Sequence, residues 1–175
     1  ANTAIFFFSD NGGVRSLARN APFRGHKATL WEGGIRTPFF ARFTGRFPAG
    51  TTVDDMVIGM DLFPTALALA GVSPPADRPI DGVNLLPVIE GKQTLKRDTL
   101  YFRYEGPRGP VQRAVVQGDW KYLSDEREQE HLFRLSDVPP EQDDLAASEA
   151  VRLGELRNNW QAWERDVMRG APRLP

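Results

Sequence analysis

Ala4-Ile5-Phe6-Phe7-Phe8 is apolar at every position and stops abruptly at Ser9-Asp10-Asn11-Gly12-Gly13. A run that does not alternate suits a strand covered on both faces, as in a parallel sheet packed by helices. In open sheets of that kind ligands gather beyond the carboxyl ends of the strands, where Asp10 and Asn11 fall. Neighbours in an extended strand face opposite ways, so both reach one cation only if the chain bends. Gly12 and Gly13 permit the bend. A carboxylate and an amide oxygen are hard donors, suited to Ca²⁺ or Mg²⁺. The same Asp-Asn-Gly-Gly is equally ordinary turn chemistry.

With 175 residues, 41% of them hydrophobic, the chain is able to bury a core. Its formal net charge of -1 gives no general attraction to nucleic acid or anionic membrane, so any anion-handling must be local. No apolar run reaches the length of a membrane span, and the first residues lack the basic segment of a signal peptide. Cysteine is absent, which removes disulfides, thiolate metal sites and cysteine-derived nucleophiles from these residues.

A second apolar run, Phe39-Phe40-Ala41-Arg42-Phe43, is ended by Gly45 and Pro48. Between the two runs lies a Gly- and Arg-rich loop, Gly12 to Gly34, of a length that is usually functional or disordered. Asp61 is expected to cap a short helix with Pro64 in its first turn, Leu62, Ala66 and Leu69 on one face, and Gly71 as the stop. A further helical piece is expected near Leu85 to Ile89, ending at Gly91. After about residue 95 four short strands are expected, at Leu100–Phe102, Arg113–Val116, Trp120–Leu123 and His131–Leu135. Turn signals separate them, so they read as an antiparallel meander. Leu153, Leu156, Trp160, Trp163 and Val167 predict a closing amphipathic helix, with Ser148 as N-cap, Gly170 as stop and its Trp face over the meander.

The stretch "FRGHKATLWEGGIRTPFF", Phe23 to Phe40, adds a basic cluster of Arg24, His26 and Lys27. A lysine is a compact cation able to bind a tetrahedral oxyanion, although a lone loop lysine is more often simply solvated. Glu32 and Arg36, four apart, suit a structural ion pair. Taken together, SDNGG, K-x-x-x-W-E-G-G-I-R-T-P, "MDLFPTALALAG" and "DGVNLLPVIEG" resemble the type I sulfatases of the alkaline phosphatase superfamily, in order and spacing. "GDWKYL" and "HLFRLSDVPPEQDDLA" extend the resemblance to essentially the whole chain.

That resemblance implies the last part of an alkaline-phosphatase-like α/β sandwich over residues 1–95. It also implies a small α+β subdomain over 96–175, with an antiparallel sheet and a long helix. Asp10 and Asn11 become ligands of a divalent cation, Ca²⁺ or Mg²⁺, and Lys27 the residue that contacts the sulfate. His26 is at most a substrate neighbour. The family's nucleophile is a formylglycine made from cysteine or serine in C/S-x-P-S/A-R, and that motif is missing here. None of Ser9, Ser16, Ser73, Ser124, Ser136 and Ser148 begins it. The family's N-terminal Asp-Asp, His and Lys residues are missing too. The chain is therefore expected to be the C-terminal portion of a sulfatase, inactive alone, from a periplasmic or secreted parent. The parent's N-terminal part, or a second copy, would cover the Ala4–Phe8 strand. The alternatives are a phosphonate monoesterase or phosphodiesterase of the same superfamily, and a non-catalytic interaction module.

Overall fold

The computed structural model describes residues 2–107 and 109–169. Both apolar runs form strands, β1 (Ala4–Phe8) and β2 (Phe39–Phe43), but they pair with each other in an antiparallel two-stranded sheet. The register sets Phe6 opposite Ala41 and Phe7 opposite Phe40. The antiparallel pairing corrects the expectation of a parallel neighbour for this strand. In an antiparallel ribbon alternate side chains divide between two faces. Phe6 packs toward Phe39 and Phe47, with ring centroids 6.3 and 6.4 Å away. Ile5, Phe7 and Phe40 stay open, Phe7 at 62% exposure.

The chain divides into two compact units, residues 1–10 with 38–97, and residues 11–37 with 98–175. The first unit holds β1 and β2, a 3₁₀ turn (Gly59–Asp61), α2 (Leu62–Ala70) and α3 (Leu86–Ile89). Gly71 ends α2 in the left-handed conformation, as expected. Asp61 stands at the N-cap position of α2, but its side chain makes no cap hydrogen bond there. Its buried carboxylate grips Arg97 through both guanidinium NH₂ groups and accepts the backbone N–H of Ile58 and of Val83, each at 2.9 Å. The covered side of α2 is Pro64 and Thr65, while Ala66 is exposed. The Thr65 hydroxyl donates to the Asp61 carbonyl and accepts the Leu85 N–H.

The second unit is built on the meander: β3 (Thr99–Tyr104), β4 (Gln112–Gln117), β5 (Trp120–Ser124) and β6 (Glu130–Arg134), in that order and antiparallel throughout. On one face α4 (Ala150–Val167) buries Leu156 and Trp160 against Val115, Tyr122 and Leu132. Trp160 Nε1 donates to the Phe102 carbonyl at 2.9 Å, and Trp163 stacks on Tyr101 at 5.3 Å. Glu149, not Ser148, precedes the helix; the Ser148 hydroxyl donates to the Leu145 carbonyl. Gly170 lies outside the described residues. The other sheet face carries Ala114, Leu123 and Phe133, and against it pack Leu30 and Trp31 of the 11–37 loop. Among the described residues no helix is long and apolar enough to cross a membrane.

Candidate active-site loop

The loop from Asn11 to Thr37 lacks a continuous apolar face, so polar contacts must order it. Its ends meet backbone to backbone. Gly12 N–H donates to the Gly34 carbonyl at 2.8 Å, and a Cβ at Gly12 would stand 1.8 Å from the Gly33 carbonyl oxygen. A Cβ at Gly34 would likewise meet the Thr29 carbonyl oxygen at 2.0 Å. Only glycine permits such approach. Asn20 clamps the middle: its Oδ1 accepts Gly13 N–H at 3.0 Å, and its Nδ2 donates to the carbonyls of Gly13 and Gly25.

Strand alternation then sends two polar side chains of the sheet toward the loop. Gln112 accepts Leu30 N–H and donates to the Ala28 carbonyl, both at 3.0 Å. That holds Ala28 in the left-handed region, φ 71°, a conformation disfavoured for a residue bearing a Cβ. Lys121, fully buried, reaches Glu32 Oε1 at 2.8 Å and Glu141 Oε1 at 2.7 Å. The Lys121–Glu141 contact is an ion pair off hydrogen-bond alignment. Glu141 Oε2 accepts the N–H of Glu32, the first residue of a four-residue helix, α1 (Glu32–Ile35). Arg36 approaches Glu32 only to 3.6 Å, so the expected i,i+4 pair is secondary to the buried one.

Burial pushes the Glu141 carboxyl above its ordinary value of 4.5, against the pull of Lys121. The folded chain therefore binds more protons than the unfolded one between that value and the folded pKa. This contribution to stability is present below pH 4.5 and fades as the pH rises through the window. Glu141→Gln should remove the slope. Denaturation from pH 4.5 upward should show the variant gaining on the wild type as the pH rises; a constant difference would contradict it.

The residues singled out from sequence lie as follows. Asp10 is exposed in a bend after β1. Asn11 is half-buried, and its Nδ2 donates to the Gly12 carbonyl at 3.0 Å. A carboxylate and an amide oxygen are both hard donors, of the kind that Ca²⁺ takes, about six to eight at a time. Among the described residues no group of three or more His, Asp or Glu side chains is arranged around a metal position. Lys27 has an exposed side chain, while its N–H donates to the Gly13 carbonyl at 3.0 Å. His26 is half-buried, its Nδ1 2.7 Å from the Lys27 carbonyl oxygen, and Thr29 Oγ1 both accepts its N–H and donates to its carbonyl.

Beside His26 opens a cleft of about 720 Å³, lined by Arg15, Arg19, Arg24 and Arg127 among others; Lys27 is not part of its wall. Asn20, Gln112, Lys121, Glu141 and this arginine cleft were not singled out from sequence. A lysine inside the apolar strand "WKYL" is the one signal that pointed to a buried charge.

Residues 25–158 match the family described as N-sulphoglucosamine sulphohydrolase, C-terminal. The chain is 43% identical over 125 residues to the N-acetylgalactosamine-6-sulfatase of Canis lupus familiaris, covering 69% of this chain and 23% of that protein. It is 38% identical over 112 residues to the human steryl-sulfatase, covering 59% and 19%. The crystal structure of Ps i-CgsB superposes with a TM-score of 0.83 at 29% identity, over 91% of this chain and 36% of that one. Ps i-CgsB has also been solved in complex with k-i-k-neocarrahexaose. The chain thus spans about a fifth to a quarter of the length of the curated relatives it matches.

Proposed function

The chain belongs to the N-sulphoglucosamine sulphohydrolase C-terminal family, and from that footing we propose that the whole protein is a sulfuric ester hydrolase. This chain would supply part of its sulfate- and cation-binding groups. The observation that carries the reading is the anchored loop. Lys27, the counterpart by resemblance of the sulfate-contacting lysine, extends an exposed ammonium from a backbone pinned at Gly13, Thr29 and Gln112. A fixed cation of this kind orients sulfate oxygens and stabilises charge that grows as the S–O bond breaks. Asp10 and Asn11 hold the divalent cation, Ca²⁺ or Mg²⁺. When bound, such an ion polarises the ester oxygens. Asp10 is also suited to accept the nucleophile's proton. The nucleophile, a formylglycine by resemblance, belongs to another part of the protein.

Lys27→Ala should lower kcat on the order of a hundredfold while the fold persists, because an exposed loop lysine buries little surface. Steady-state kinetics of the full-length variant, with circular dichroism as the fold check, test this. Unchanged kinetics would make Lys27 a bystander. The relatives' names divide between sugar and sterol sulfates, so the alcohol has to be argued from the structure.

A further inference from the structure

The arginine cleft bears on that choice. Its wall carries four arginines, Arg15, Arg19, Arg24 and Arg127, against two carboxylates, Asp125 and Glu126. Among the described residues none of the four arginines forms an ion pair. Arg24 instead lies over the Trp31 ring, 3.9 Å from its centroid, a cation–π seat that fixes the guanidinium without neutralising it. Asp125 is already engaged. One of its oxygens accepts the N–H groups of Arg127 and Gln129 at 2.8 and 2.9 Å, and the other lies 3.3 Å from His131 Nε2. It therefore shapes the turn that presents Arg127 more than it offsets the positive charge.

The cleft's volume falls within the roughly 300–1,000 Å³ of small-ligand sites, and its wall includes His26, the residue before Lys27. Guanidinium groups bind sulfate and carboxylate oxygens in pairs, and an uncharged sterol or aryl alcohol offers them nothing. We propose that this cleft holds anionic groups on sugar units beyond the one that reacts. The substrate is then a sulfate ester within an anionic oligosaccharide. The inference rests on the sulfatase reading for its choice of ligand, but its test does not need turnover.

The test is a fluorescence titration of the full-length protein with a labelled, sulfated hexasaccharide at fixed salt. Arg15→Gln/Arg19→Gln/Arg127→Gln should bind it roughly tenfold or more weakly than wild type, with a shallower salt dependence. The three Arg→Lys changes, which keep the charge and lose the paired contacts, should fall between wild type and the triple Gln variant. Arg165→Gln, an exposed arginine of α4, should leave it unaltered. Equal affinity of wild type and triple Gln variant would overturn the proposal. So would an RNA oligonucleotide of the same charge that binds as tightly and loses as much. If wild-type protein released no sulfate from either the sulfated hexasaccharide or a small aryl sulfate, the sulfatase reading would fall, and the titration would still decide the cleft.

Discussion

Lys121→Met is expected to destabilise the second unit by about 3–5 kcal/mol, the range for removing one partner from a buried ion pair. Lys121 is wholly covered, and its ammonium is the one charge set between Glu32 and Glu141. Methionine keeps the packing volume but leaves two carboxylates facing each other out of water. The cost should therefore exceed that of Glu141→Gln, which removes a charge the site already disfavours. A Lys121→Met chain that also carries Glu32→Gln and Glu141→Gln should recover part of the loss. All four tryptophans, Trp31, Trp120, Trp160 and Trp163, lie in this unit, so urea unfolding followed by their fluorescence reports on it directly. An unmoved midpoint would mean that the cluster does not hold the loop.

Asp10→Ala is expected to abolish sulfate release by the full-length protein. Its carboxylate is exposed and buries no apolar surface, so the loss should come without a matching loss of stability. Metal analysis gives a second readout. Wild type should retain Ca²⁺ or Mg²⁺ after dialysis against dilute chelator, and the variant should not. Wild-type turnover by Asp10→Ala would remove this residue from the site.

Elements whose apolar pattern is local were legible in the sequence. The meander and α4 follow from short strand-like runs separated by turn signals and from the spacing of Leu156, Trp160 and Trp163, and all are present. β1 and β2 were legible as strands but not as partners. An unbroken apolar run signals burial in some assembly, and the pairing depends on where the connecting loop returns the chain. Asp61 was misread because an aspartate before a helix has a common role as a cap, while its rarer role here depends on Arg97 and Val83, far along the chain. Ser148 and Glu149 differ by one residue, the usual uncertainty at a helix end.

The loop shows the same division. The resemblance covered Lys27, His26, Asp10 and Asn11, along with the stretches that contain Lys121 and Glu141, but it gave the last two no role. Their role depends on sheet alternation aiming Lys121 at Glu32, and on residue 141 returning to the same point. Gln112, 84 positions from Ala28, has no sequence signal at all. The arginine cleft escaped for a related reason. Arg15, Arg19 and Arg24 are scattered through the loop, and Arg127 joins them only when the β5–β6 turn folds beside it.

Ion chromatography of the products released by the full-length protein tests the central claim most directly. It would be offered a sulfated oligosaccharide, an aryl sulfate and an aryl phosphonate monoester in parallel. The sulfatase reading predicts free sulfate, with Lys27→Ala reducing its rate about a hundredfold. Cleavage of the phosphonate monoester with no sulfate released from either sulfate ester would contradict it.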